Sequence, residues 1–522
     1  MSCSNTFRHA IPAAVLAIVA IAEPAHTLAQ RQGAPRSPGT AASGLTLVLG
    51  RPADRSITLS VLSPVDVEAY VEFGTKAGEY TTKTGVATAG AGVPLEIGIT
   101  GLQPDTRYHY WLRGRRPGEA AFREGQPGSF HTQRAPGSTF AFALQGDSHP
   151  ERLNRMYDPG LYRLTLANVQ KDQPDFYVMM GDDFSVDPLI SRGQLSQQTV
   201  DQLYVDQRQF LGAIAASVPL FLVNGNHEQA SRYLLKGSAD SAPLFSGRAR
   251  TRFFPLPGPD AFYTGDAQQV EGIGLLRDYY AWTWGDALFV VIDPYWHSPV
   301  QVDNEAGGGG GGGGRGGNRG AGGRAGGAGR GQANATQGRA GGGRVRDWWS
   351  MSIGDAQYQW LKTTLEQSKA RCKFVFAHHV LGTGRGAVEM ADLYEWGGKD
   401  RNGESLFAKY RPGWELPIRQ LMAKTGVTIF FQGHDHLFAR QEKDGVIYQE
   451  VPNPADATYQ AFNREAYRSG DILPDSGHLR VTVAPDQVRV DYVRAWLPKD
   501  ESGDQKNGAV AFSYTVTPRA RR

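Results

Sequence analysis

Cysteine is nearly absent from this chain. Only Cys3 and Cys372 occur in 522 residues, and Cys3 lies in a leader-like segment, so the mature chain would keep a single thiol and no internal disulfide. Cys3 also comes too early, and without preceding apolar residues, for a lipoprotein anchor. Too few thiolates remain for an iron–sulfur cluster or a copper(I) site. Long hydrophobic runs are missing as well. The apolar run from Ile11 to Ala22 falls short of the ~20 residues that cross a bilayer, and no later segment reaches that length. Arg8 and His9 precede the run and Thr27-Leu28-Ala29 follows it, the pattern of a signal peptide over residues 1–29. A periplasmic or secreted protein, with no transmembrane segment in the mature chain, is expected. Nor is there a strong net charge. The formal +3 depends on Arg315, Arg319, Arg324, Arg330, Arg339, Arg344 and Arg346, and without those seven positive charges it becomes −4.

What is present is a globular chain with one aberrant stretch. Hydrophobic residues make up 40% of the sequence, with 10 Trp and 21 Tyr, enough for a large core and two or more domains. Residues 306–346 are the exception, being mostly glycine and arginine. Such a segment cannot bury enough surface to offset its ordering entropy, so disorder is expected. Arginine–glycine tracts can bind nucleic acid, but this one interrupts a region of regular strand and helix pattern. It reads as a tolerated surface insertion, and no nucleic-acid partner is expected.

Two textures divide the remainder. Residues 44–134 alternate apolar and polar positions in short runs, 45–49, 56–61, 66–73 and 95–99, the pattern of an all-β sandwich. From residue 138 to 518 the pattern changes. Apolar runs at 139–144, 175–180, 219–223, 373–377 and 427–431 are short and rich in Phe and Val, as in strands buried on both faces. Between them lie helical spacings: Leu161, Leu164 and Val169; Leu203, Phe210, Leu211 and Ile214; Trp360, Leu361 and Leu365. Strand and helix in alternation predict parallel sheets, here two of them flanked by helices. Further strands at 479–483, 488–493 and 510–516 would complete the second sheet, ahead of a frayed basic tail at 519–522.

Each of the five apolar runs ends in polar residues of one chemical kind. They close with Gly146-Asp147-Ser148-His149, Gly181-Asp182-Asp183, Gly225-Asn226-His227-Glu228, Ala377-His378-His379 and Gly433-His434-Asp435-His436. In parallel sheets ligands gather beyond the carboxyl ends of the strands, so the five motifs are expected to converge. Carboxylate, amide oxygen and imidazole form a mixed oxygen and nitrogen set that suits iron, manganese, zinc or cobalt.

In type and order these motifs resemble those of the calcineurin-like metallophosphoesterases, within them the secreted branch similar to purple acid phosphatases. The resemblance runs from about residue 140 to 496. It implies two metal ions, one held by Asp147, His149 and His436, the other by Asn226, His378 and His434, with Asp182 bridging. A bridging carboxylate can hold two cations roughly 3.5 to 4 Å apart, so that a hydroxide between them attacks phosphorus. The implied substrate is a phosphate ester. By the same resemblance His227 contacts the phosphate or protonates the leaving alkoxide, and Glu228 is expected to orient its ring or raise its pKa. His379 is expected either at the substrate or packed. The stretch 382–398, with Glu389, Asp392 and Glu395, is expected at the mouth of the site, and His297, which matches no family ligand, reads as structural.

Two departures from the purple branch carry information. Those enzymes have Asp-x-Gly at the first motif and Gly-Asp-x-x-Tyr at the second, whereas His149 and Ser185 stand at those positions here. Without the tyrosinate a colourless enzyme is expected. The segment Gly101-Leu102-Gln103-Pro104-Asp105-Thr106-Arg107-Tyr108-His109-Tyr110 resembles the end of a fibronectin type III-like domain, which purple-type phosphatases carry ahead of the catalytic one. The motifs bind phosphate and not the leaving group, so a phosphomonoesterase and a phosphodiesterase or nucleotidase both remain open. A non-catalytic binding protein is disfavoured by the intact ligand set.

Overall fold

The computed structural model describes residues 44–235, 240–302, 347–381 and 384–518. The leader at 1–29, the glycine–arginine stretch at 306–346 and the basic tail lie outside the described residues. Among those described, Cys372 is buried and unpaired, and no helix is long and apolar enough to cross a membrane.

The N-terminal region is a pair of antiparallel sheets. Strands Thr46–Gly50, Ser56–Leu62 and Leu95–Thr100 form the first. Val67–Gly74, Arg107–Arg115 and Arg123–His131 lead the second. Alternate residues of Leu95–Thr100 are buried and exposed, the two-residue period of a strand with one wet face. Leu47, Leu59 and Ile97 of one sheet meet Val71, Tyr108 and Leu112 of the other in a common apolar core.

The larger region has four layers. One six-stranded sheet carries Leu220–Leu222, Tyr177–Met179 and Phe140–Gln145 in parallel, extended antiparallel by Gly477–Val483, Val488–Arg494 and Val510–Val516. An eight-stranded sheet carries Ala287–Val291, Cys372–Ala377, Ile429–Gln432 and Val446–Glu450 in parallel. The strand pleat sends alternate side chains into different layers. Phe176 and Val178 enter the core between the sheets with Phe289, Phe374 and Phe431. Tyr177 and Met179 instead join a cluster with Leu166 and Leu211, from helices Pro159–Asp172 and Gln197–Ala215. On the second sheet Phe374 and Phe376 face inward, while Val375 and Ala377 join Leu361 and Leu421 of helices Asp355–Gln367 and Ile418–Thr425. Burial on both faces is why these strands read as unbroken apolar runs. Helix starts are set locally: Asp158 accepts from the Gly160 and Leu161 N–H groups, and Ser196 and Thr199 form a reciprocal capping box.

The two regions are tied by buried polar contacts. The Tyr110 hydroxyl donates to the Ala216 carbonyl at 2.6 Å. Arg208 is fully buried, and its guanidinium donates to the Thr46 carbonyl at 3.2 Å, the Ser60 carbonyl at 3.0 Å and the Phe253 carbonyl. Burial lowers its pKa to about 9, which leaves it charged at neutral pH. Arg208→Met would strand three buried acceptors at a cost of ~1–3 kcal/mol each, so a clear fall in the Tm of the full chain is expected. An unchanged Tm would mean water replaces the guanidinium.

Candidate metal centre

All five motif loops leave the ends of parallel strands and converge. Asp147 and His149 follow Phe140–Gln145, Asp182 follows Tyr177–Met179, Asn226 and His227 follow Leu220–Leu222, His378 follows Cys372–Ala377, and His434 and His436 follow Ile429–Gln432. Close approach of these loops demands small residues. A Cβ on Gly225 would lie 2.3 Å from the Asp182 nitrogen and Oδ1, and Gly181, at φ +101°, turns the chain into the site. His149, Asp182, His434 and His436 have φ of +48°, +58°, +81° and +53°. Left-handed backbone at non-glycine residues costs of order 1–3 kcal/mol each and gathers at functional sites.

Two buried groups result. In one, Asp147, His149 and His436 each present a ligand atom within 4.8 Å of the others. His436 Nε2 is 2.9 Å from Asp147 Oδ2 and 3.0 Å from His149 Nε2. In the second, Asp147, Asp182, His378 and His434 are similarly gathered. His378 Nε2 lies 3.2 Å from Asp182 Oδ2, 3.3 Å from His434 Nδ1 and 3.2 Å from Asn226 Oδ1. Asp182 Oδ2 stands between the groups, 3.6 Å from His149 Nε2.

The donor set fits cations. Asp182 Oδ2 is buried without a hydrogen-bond partner, while Oδ1 is fixed by the His227 N–H at 2.8 Å. Burial, then nearby Arg152 and His436, lowers the pKa of His149, and burial with His379 does the same for His434. Both rings are thereby held neutral, the form in which imidazole binds metal. Burial opposes charge on His378, yet Asp182 and Asp147 lift it to about 10: two buried carboxylates recruit the positive charge available to them. Ring orientations are fixed from behind, by the Met180 carbonyl 2.8 Å from His378 Nδ1 and by Glu151 Oε1 2.8 Å from His149 Nδ1, as outer partners of metal-binding histidines do.

Around this cluster the structure bears on three of the expectations. Glu228 does not orient His227. Its carboxylate accepts from the backbone N–H groups of Asp182, Asp183 and Phe184 at 3.1, 2.9 and 3.3 Å, bracing the Asp182 turn, and burial with the Asp182 charge pushes its pKa to about 8. The carboxylate against His227 Nδ1 belongs to Asp187, and Arg152 Nη2 is 3.2 Å from Nε2. Although burial opposes it, Asp182 and Asp187 raise the His227 pKa to about 9. His379 is fully buried, with its ring centroid 4.3 Å from that of His434 and Nδ1 3.1 Å from the Tyr295 hydroxyl; these contacts back a candidate ligand rather than a substrate. In the stretch after His379, Glu395 is buried against Arg411 and Asp392 pairs with Arg419. Arg385 reaches the site edge, binding Asp435 and the His434 carbonyl. Residues 382–383 lie outside the described residues.

Asp187, Glu151 and Arg152 were not singled out in the sequence. Glu151 and Arg152 follow His149 closely enough for local spacing to flag them, whereas Asp187 lies 40 residues from His227 at the start of the short helix Asp187–Ser191, which carries no motif.

Comparisons with known proteins agree with this fold. A purple acid phosphatase from yellow lupin (Lupinus luteus) seeds superposes with a TM-score of 0.54 at 15% identity, over 91% of this chain and 74% of that one. PhoD superposes with a TM-score of 0.59 at 15% identity, over 92% of each chain. Among curated protein sequences none matches. The profile of the calcineurin-like phosphoesterases matches residues 140–438. With that span covering more than half of the sequence, the chain belongs to the calcineurin-like phosphoesterase family.

Proposed function

We propose that this phosphoesterase is an exported phosphomonoesterase with a binuclear metal centre. The observation that carries the centre is Asp182 Oδ2, buried between the ring nitrogens of His149 and His378 at 3.6 and 3.2 Å, so that it can face both ligand groups. Asp147, His149 and His436 would hold one ion, Asn226, His378 and His434 the other, and Asp182 both. Two such ions supply positive charge for the phosphate and lower the pKa of water. Export rests on residues 8–29 of the sequence.

The protein's own groups account for substrate handling. His227 and Arg152 have nitrogen atoms 3.2 Å apart, so both can donate to one phosphate oxygen. Asp187 steadies the imidazole and favours its protonated form. His227 would then give a proton to the departing alkoxide, and Asp187 would keep the ring aimed. Glu228 acts one step away, through the turn that carries Asp182.

Hydrolysis of p-nitrophenyl phosphate against bis-p-nitrophenyl phosphate tests the substrate class, using protein stripped of metal and reloaded with manganese, zinc or iron. Faster monoester turnover is expected, and faster diester turnover would make the protein a phosphodiesterase. A second expectation concerns colour. Ser185 is buried within the second motif loop and supplies no phenolate, so the iron-loaded protein should have no strong visible charge-transfer band. An intense purple band would require a tyrosinate ligand from elsewhere.

A further inference from the structure

Apart from the motif loops, a second cluster of metal-binding side chains lies inside the protein. Asp266 follows the short strand Thr264–Gly265, Asp278 precedes Tyr280–Trp284, and His297 comes after Ala287–Val291. Each presents a ligand atom within 4.8 Å of the other two. Asp266 and Asp278 are 3% and 2% exposed. His297 Nε2 is 2.9 Å from Asp278 Oδ2, the same separation as His436 from Asp147 in the candidate centre. Asp278 Oδ1 accepts the Tyr279 N–H at 2.9 Å, and Asp266 Oδ1 accepts the Gln268 N–H at 2.8 Å. Asp266 Oδ2 is buried with no hydrogen-bond partner.

Charge makes this arrangement costly without a cation. A third buried carboxylate, Asp293, adjoins the cluster, held by the Tyr295 N–H at 2.6 Å and by Asn224 Nδ2 at 3.2 Å. Arg250 is the nearby guanidinium, and it is committed to the carbonyls of Leu222, Leu276 and Arg277. A protonated His297 can satisfy Asp278, and the Tyr279 hydroxyl approaches Asp266, but neither brings a positive charge to the buried Asp266 Oδ2, which has no hydrogen-bond partner. The remaining alternative is a proton shared by the two carboxyls. Such a proton would join Asp266 to Asp278 but would leave His297 and the buried oxygens gathered on one point, as a cation requires.

We propose that Asp266, Asp278 and His297 hold a third divalent cation, of the zinc or manganese class, separate from the binuclear centre. Two carboxylate oxygens and one imidazole nitrogen neutralise and coordinate such an ion, and leave a position for water. The nitrogen ligand disfavours calcium, which takes oxygen throughout. The ion would pin three chain segments together. Through Asp293 and Asn224 it would also brace the loop that carries Asn226 and His227. The inference does not rest on the proposed function.

Counting ions tests it. The full-length protein is stripped, saturated with Zn²⁺ or Mn²⁺, freed of excess and assayed for metal per chain, as wild type and as Asp266→Asn. The expected counts are three and two. An asparagine amide can still donate to Asp278, so a shared-proton pair would survive the substitution with no change in count. A wild-type count of two that stays two in Asp266→Asn would overturn the third site and leave the binuclear centre. A count of one that falls to none would keep the third site and remove the centre instead. Should Asp266→Asn fail to fold, His297→Gln is counted, with the same loss of one ion expected and an unchanged count overturning the proposal.

Discussion

Asp182→Asn is expected to lose bound metal and turnover together, with turnover falling by ~10³-fold, the scale of several kcal/mol of lost charge stabilisation. The argument is geometric. Asp182 Oδ1 is held by the His227 N–H at 2.8 Å, and the turn behind it is braced by Glu228. Oδ2 is therefore buried and aimed at the candidate ligands His149 at 3.6 Å and His378 at 3.2 Å. Asparagine keeps the shape and can still accept at Oδ1. It removes the charge, and it sets either a neutral oxygen or an N–H donor where a ligand is needed. Metal per chain by mass spectrometry and turnover at saturating metal measure the two effects. Retained metal with retained turnover would show that Asp182 bridges nothing. The third cation site should keep its ion in this variant, which separates the two clusters.

The fold was legible because its signal is local. Phe142, Phe176, Phe374 and Phe431 lie in runs where both faces are apolar, and the structure buries both faces of those strands. Convergence of the motifs followed from strand polarity alone, since each motif stands just past a strand's carboxyl end. Side-chain direction inside the loops was not legible. His227 and Glu228 are neighbours in sequence, yet one ring meets Asp187 and the adjacent carboxylate turns to the backbone of residues 182–184. Sequence adjacency on a tight turn does not imply contact. Asp187 could not be found because loop closure, not periodicity, brings it to His227. The same holds for Asp266 and Asp278, which have no motif and meet His297 only through the folding of a hairpin and its flanks.

Replacement of His227 by alanine separates proton transfer from metal binding. His227→Ala is expected to keep its full metal content and to reduce turnover by ~10² to ~10⁴, the usual scale for general acid catalysis. The ring sits at the rim of the buried cluster, 24% exposed, with Nε2 3.8 Å from Asp182 Oδ2, and its nearest partners are Asp187 and Arg152. Loss of metal in this variant would make His227 a ligand. The leaving group then decides its role. p-Nitrophenolate departs without a proton, whereas an alkyl alkoxide does not, so a general acid should matter far more for an alkyl phosphate. A larger loss on the alkyl ester assigns proton donation. An equal loss on both esters assigns phosphate binding, shared with Arg152. Asp187→Asn tests the same pair from the other side: the metal stays, the imidazolium loses the carboxylate that favours it, and the loss should follow the same leaving-group order at smaller size. If Asp187→Asn lowered both esters alike, Asp187 would only position the loop, and the proton would have to come from another group.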